Sequence, residues 1–315
     1  MARVAIVGSG FIGRAWAIAF ARAGHDIALW DQDRDAPRNA IDFVAAMAPD
    51  LADNDLLGGT KPETLLARLR AESDLGAAVA GADHVQENAP ERLDLKRTLF
   101  AELDRLAPPT AIIASSSSAL APSRFTEGLS GRHRCLVIHP INPPYLIPAA
   151  EIVPAPWTSA ETIERARAFL VAAGQAPIVM KREIDGFVMN RLQGALLEEA
   201  FRLVADGVAS AEDIDVGLRE GLALRWSFMG PFETIDLNAP GGVRDYVERY
   251  QGIYQNLFSQ MQRRIDWAGP ALTEIEGERR RRVPLDQLAE RQRWRDRRLM
   301  ALVAHKKRAA QDFGA

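Results

Sequence analysis

The amino-acid sequence predicts an α/β protein: a mostly parallel sheet covered by helices, then an all-helical C-terminal part. Three observations predict it. Short apolar runs alternate with stretches of helical periodicity from Arg3 to Val179, the pattern of βαβ units. A glycine-rich turn joins the first apolar run to the first helical stretch. Beyond Lys181 strand patterns cease, and long amphipathic segments take over.

Arg3–Val7 ends in glycines and reads as a buried strand. Gly13–Ala23 follows with helical spacing, and Gly24 is its stop. Asp26–Trp30 is a second strand, with Asp31 just past its end. Strand, helix and strand within about thirty residues is the size of one βαβ unit. A long helical region, Pro37–Asp74, is interrupted only at Leu57–Thr60. Further strands are expected at His84–Glu87, Ala111–Ser115, Cys135–His139, Glu151–Val153 and Ala176–Val179, and further helices at Leu93–Leu106 and Thr158–Ala173. In the C-terminal part, Phe187–Asp206, Ala211–Glu220 and Val243–Trp267 are the helical candidates. The change of pattern near Arg182–Gly186 predicts two domains, 1–184 and 185–315.

Composition excludes several functions. The 315 residues are 47% hydrophobic and 26% charged, with a net charge of −3, which suits a globular chain and argues against a polyanion partner. Arg279–Arg282 and Arg291–Arg298 resemble nucleic-acid patches, but acidic residues are interleaved and solvated helix faces are the simpler reading. One cysteine, Cys135, rules out an intrachain disulfide, and with five histidines no Cys/His metal site is expected. No apolar run is long enough for a bilayer, and no signal-peptide pattern precedes the first strand, so a cytoplasmic protein is expected.

Gly8-Ser9-Gly10-Phe11-Ile12-Gly13 fits the dinucleotide fingerprint in its proper context, after a strand and opening a helix. Gly8 permits the tight turn, Gly10 leaves room for a pyrophosphate, and Gly13 lets helix and sheet pack closely. The helix N-terminus offers free N–H groups to phosphate. Asp31 is placed to accept bonds from ribose hydroxyls and to repel a 2′-phosphate, so the cofactor expected is NAD, although Arg34 nearby softens that preference.

Taking a proton from a hydroxyl as its hydride departs needs a base, and the base needs an orienting partner. His139 ends a strand on the edge where ligands bind in such sheets. Glu151 begins the next strand and is the candidate partner. Ser118 is placed to bond the reacting oxygen, and Asn142 to contact nicotinamide or substrate. Each of these residue types, taken singly, is more often structural: a serine run makes a solvated loop, and an asparagine among prolines makes a turn.

Together, Gly8–Gly13, Ser115–Leu120, His139–Pro143, Glu151 and Asp185–Arg191 resemble the 3-hydroxyacyl-CoA dehydrogenase superfamily, in order and along essentially the whole chain. Ser115–Ser123, His139–Pro148, Arg225–Glu233 with Leu237–Ala239, and Arg291–Asp296 are most similar to its lambda-crystallin branch, which includes L-gulonate 3-dehydrogenase. The resemblance implies a Rossmann-type NAD domain and a helical domain that forms a homodimer. It implies that His139 is the base and Glu151 its partner, that Ser118 and Asn190 bind substrate, and that Phe11, Ile12, Asp31, Glu91 and Lys96 line the NAD site. One departure stands out. The acyl-CoA enzymes carry asparagine and threonine where this chain has Ser116 and Ser117.

The substrate expected is therefore a small free 3-hydroxy acid, L-gulonate-like, whose carboxylate Arg225 would hold through paired hydrogen bonds. A surface salt bridge is the other reading of Arg225. The alternative substrate is a 3-hydroxyacyl-CoA, and the alternative of another class is a catalytically silent, crystallin-like NAD-binding protein.

Overall fold

The computed structural model describes residues 1–314. The chain divides into two compact units, the first comprising Met1–Asn190 with Asp296–Ala304, the second Arg191–Arg295 with His305–Ala315.

The first unit begins β1 (Arg3–Val7), α1 (Phe11–Arg22), β2 (Asp26–Trp30), α2 (Ala36–Asp53), α3 (Pro62–Leu66), β3 (Leu69–Ala71) and α4 (Leu75–Val79). It continues β4 (His84–Glu87), α5 (Leu93–Leu106), β5 (Ile112–Ser115), α6 (Ser123–Thr126), β6 (Cys135–Pro140), β7 (Ala149–Pro154), α7 (Ala160–Ala172) and β8 (Ala176–Val179). Helix α8 (Met189–Ala205) follows. The strands form one eight-stranded sheet in the order β3-β2-β1-β4-β5-β6-β7-β8. All neighbours are parallel except β6 and β7, which pair antiparallel. The order from β3 to β6 is that of a dinucleotide fold, with its reversal point between β1 and β4.

Pleating divides the core into two layers. Val4, Ile6, Ile112, Ala114, Leu136, Ile138 and Ile152 face one layer, with Trp16 and Phe20 of α1, Val44 and Leu51 of α2, and Met300 and Ala304. Ala5, Val7, Val85, Ile113, Val137 and Val153 face the other, with Phe100 of α5, Phe125 of α6 and Phe187. Both faces of these strands are buried, which explains their continuous apolar runs.

The region read as one broken helix, 37–74, also holds β3. That strand is only three residues long and its Arg70 and Ala71 are exposed, so it carries no apolar run to detect. The second unit is helical throughout among the described residues: α9 (Ala211–Val216), a π-helical turn (Gly217–Leu222), α10 (Ala223–Trp226), α11 (Pro231–Leu237), α12 (Gly242–Gln260), α13 (Pro270–Arg282) and the two ends of α14 (Leu288–Phe313), whose middle, Asp296–Ala304, belongs to the first unit. Helix α12 ends at Gln260 rather than the expected Trp267, and buries none of its residues.

Candidate active site

His139 and Glu151 are directly opposed in the antiparallel β6–β7 pair. His139 lies two residues beyond Val137 and Glu151 two before Val153, so the pleat turns both onto the second core face. His139 Nδ1 lies 2.7 Å from Glu151 Oε2, and both side chains are buried. The other carboxylate oxygen, Oε1, accepts the backbone N–H groups of Val188 at 2.7 Å and Met189 at 3.0 Å. Glu151 thus also occupies the N-terminal end of α8, where free N–H groups and the helix dipole favour an anion. Burial works to raise its carboxyl. The bonds from His139, Met189 and Val188 outweigh that and hold it below the usual carboxylate range. An ionised carboxylate only accepts, so a neutral imidazole there carries its proton on Nδ1 and its lone pair on Nε2.

The ring of Phe187 lies 5.6 Å from the imidazole, tilted by 58°. Asn190 Nδ2 donates to the carbonyl oxygen of Ser118 at 2.7 Å, which brings two of the expected substrate residues together. The Ser118 side chain is exposed. Asn142 is exposed in the loop after β6, before a cis proline at 143.

The glycine turn fits a dinucleotide on its own geometry. Gly8 has φ +92°, and a Cβ there would lie 2.9 Å from the Asn88 backbone. A Cβ on Gly13 would fall 2.0 Å from the Gly8 carbonyl oxygen. Around Gly10, the residue capping α1, a Cβ would meet nothing within 4 Å. Gly10 is therefore unneeded for packing, and its open side is where a pyrophosphate would approach. Phe11 is exposed and Ile12 half-buried in the first turn of α1. Asp31, at the end of β2, accepts from Ser9 N at 2.7 Å and Asp33 N at 3.0 Å. It therefore braces the glycine turn, and its remaining lone pairs are those that would meet a ribose.

Two expected cofactor residues have structural partners. Glu91 accepts from the Ser117 hydroxyl and from Ala119 N and Leu120 N at 3.2 and 3.0 Å. Burial opposes ionisation there, but those bonds together with Lys96 hold the carboxyl below its usual range. Lys96 is 1% exposed. Its ammonium lies 2.9 Å from both oxygens of Glu87 and 3.3 Å from Ser115 Oγ, so its donors point into the protein. Burial raises the Glu87 carboxyl, with Lys96 and Ser115 opposing.

Sequence reasoning missed Glu87, Ser115 and Phe187, and also a partly buried chain of hydrogen bonds at the glycine turn. Gln86 and Trp16 both donate to Ser116 Oγ, Ser116 donates to Asn88, and Asn88 donates to the Gly8 carbonyl. The departure at Ser116 is thereby explained locally, since a small hydroxyl serves three polar neighbours. Arg225 belongs to the second unit, exposed on α10. Among the described residues no group of His, Cys, Asp and Glu is arranged to hold a metal, and no helix is long and apolar enough to cross a membrane.

The profile of the 3-hydroxyacyl-CoA dehydrogenase NAD-binding domain matches residues 3–184, and that of the C-terminal domain residues 186–269. The lambda-crystallin homolog of Bos taurus is 42% identical over 95% of this chain and 94% of its own length. The L-carnitine dehydrogenase of Streptomyces griseus is 41% identical over 79% of this chain and 73% of its own. Among solved structures, an NAD-dependent dehydrogenase of a formyl-hydroxy-methylpyridine carboxylic acid superposes with TM-score 0.82 at 26% identity, covering 96% of this chain and 97% of that one.

Proposed function

The chain belongs to the 3-hydroxyacyl-CoA dehydrogenase family and is an NAD-dependent oxidoreductase, and from that premise we propose that it oxidises the 3-hydroxyl of a small free hydroxy acid, L-gulonate-like, with His139 as general base. The observation carrying this reading is the anchored pair, Nδ1 at 2.7 Å from a carboxylate that two backbone N–H groups hold in place. NAD, when bound, supplies the hydride acceptor. Gly8, Gly10, Phe11, Ile12, Gly13 and Asp31 hold it, with Glu91, Lys96 and Asn142 shaping the loops of the same edge.

His139 Nε2 takes the hydroxyl proton. Glu151 stabilises the imidazolium so formed, and stays ionised while doing so. The Ser118 hydroxyl bonds the reacting oxygen. Asn190 fixes the Ser118 backbone and contributes its amide to the substrate. A free acid carries a carboxylate that a thioester lacks at that end, and Arg225 is the residue whose guanidinium would pair with it by chemistry. A relative named for carnitine, itself a free 3-hydroxy acid, favours the acid over the thioester.

The protein works as a homodimer in this reading. Val243, Val247, Tyr250, Tyr254, Leu257 and Met261 recur three or four residues apart, on α12 and at its end, and all are exposed. A stripe of that spacing belongs against a partner, and sedimentation at micromolar concentration should give twice the chain mass.

The test is NADH appearance with L-gulonate, 3-hydroxybutyrate, carnitine and 3-hydroxybutyryl-CoA. Turnover on a free acid is expected. Turnover confined to the thioester refutes the substrate, and tight NADH binding with no turnover on any of them supports a silent protein. His139→Gln should lose turnover by roughly 10²–10⁴-fold while binding NADH as before.

A further inference from the structure

We propose that Phe187 is a positioning residue for the base, its side chain fixing the plane of the His139 imidazole while its left-handed backbone delivers the anchors of Glu151. The inference rests on the reading of His139 as base.

A single hydrogen bond does not fix a ring. The contact from Nδ1 to Glu151 holds one edge of the imidazole, but leaves the ring free to swing about that contact. Nε2, on the far edge, moves most in such a swing. The Phe187 ring, 5.6 Å away at 58°, walls one side of the swing. It is itself enclosed: it is 0% exposed and packed in the core layer of Val137, Val153 and Met180.

The backbone makes the same point independently. Phe187 has φ +50°, directly after Gly186 at φ +77°. A bulky residue in the left-handed region is an outlier, held only where its surroundings over-determine it, and such outliers gather at functional sites. Glycine would adopt this turn without strain. The chain instead carries a bulky aromatic side chain there, against the imidazole. The turn's immediate products are the N–H groups of Val188 and Met189 on Glu151 Oε1. Asn190, next in the chain, bonds the Ser118 carbonyl. One strained residue therefore sets the ring plane, the carboxylate and the substrate loop together.

The test compares Phe187→Ala, Phe187→Gly and Phe187→Leu with the wild type and His139→Gln. It reads kcat, the KM values for NAD and for the best acid, NADH binding by fluorescence, and the thermal midpoint. Phe187→Ala is expected to lose kcat by about 100-fold, the effect of misplacing a reacting group by roughly 1 Å, with both KM values and NADH affinity within about threefold of wild type. Phe187→Gly keeps the turn and should lose as much, which assigns the loss to the ring. Phe187→Leu fills most of the volume and should recover to about tenfold below wild type. If the smaller variants fail to fold, the leucine variant decides alone. A folded variant with wild-type kcat, beside an inactive His139→Gln, overturns the proposal, as does NADH affinity lost in parallel with kcat. Wild-type turnover in His139→Gln overturns the base assignment instead.

Discussion

Exchanging Glu151 for glutamine tests the tautomer argument with almost no change of shape. The carboxylate accepts three bonds, two at Oε1 from Val188 N and Met189 N and one at Oε2 from His139 Nδ1. In Glu151→Gln the amide oxygen must stay with the two backbone donors, because an NH2 group there would face them donor to donor. The NH2 group then faces Nδ1 and demands its lone pair. The ring proton moves to Nε2, the atom that must be bare, so kcat should fall by about 10⁴-fold, as for other orienting carboxylates replaced by an amide. Replacing charge-assisted bonds by neutral ones should also destabilise the fold by about 2 kcal/mol. The acid dependence has a definite sign. Burial raises the Glu151 carboxyl, but His139, Met189 N–H and Val188 N–H lower it more, so the folded value lies below the unfolded one. The ionised side chain therefore stabilises the fold fully above the ordinary carboxylate range and loses that contribution as pH falls through the lowered value. Thermal midpoints of the two proteins should differ most at neutral pH and converge in acid. Single-turnover NADH formation and calorimetry across pH measure both effects. A Glu151→Gln enzyme within about tenfold of wild type, which is only about 1.4 kcal/mol of barrier, would refute the tautomer argument, and a stability gap that widens in acid would refute the charge argument.

Lys96→Met should lower stability by about 3–5 kcal/mol by leaving Glu87 charged and unpaired in the interior, with partial recovery in acid as that carboxyl, already raised by burial, takes up a proton; a midpoint unchanged in calorimetry would count against the buried pair. Gly10→Ala and Gly13→Ala should separate binding from packing. The first leaves the thermal midpoint unchanged but weakens NADH, because its Cβ meets no protein atom, and the second lowers both, because its Cβ would strike the Gly8 carbonyl; equal midpoints in the two variants would contradict this. Arg225→Met should raise KM for the free acid by about 10–100-fold, the range of one charge-assisted interaction, and leave KM for NAD alone; an unchanged acid KM removes Arg225 from the substrate.

The glycine turn was legible because every constraint on it is local. Strand, turn and helix are consecutive, and Asp31 follows one strand later. Most strands of the sheet interior were legible as apolar runs for the same reason, whereas β3, three residues at the edge, carries no such run, and β4 holds a single apolar residue, Val85. Lys96 marks the limit. A helix lysine looks solvated in any window of sequence, and resemblance places it by the cofactor. Its partner Glu87 lies at the end of β4, in a strand whose register with the helix no local pattern reports. Phe187 was hidden differently. Sequence shows an apolar residue opening an amphipathic helix, and nothing in its identity announces a positive φ. Only the glycine before it hinted at a turn.

The His139–Glu151 pair lies between these cases, and the reason is the pleat. Neighbouring strands were expected to bring the two residues together, but adjacency alone does not decide whether they meet. Side chains alternate faces, so a shift of β7 by one residue would carry Glu151 to the layer of Ile138 and Ile152 and leave His139 opposite an apolar neighbour. The register that prevents this pairs Ile138 with Ile152 and Val137 with Val153, residues without chemistry whose burial on opposite layers fixes the alignment. The geometry of the proposed catalytic pair is thus enforced by apolar residues: any shift of the register by an odd number of residues would put Glu151 into a greasy layer as an unpaired charge, at a free-energy cost of several kcal/mol. The same ionised carboxylate that orients the base therefore also acts against misalignment of its own hairpin.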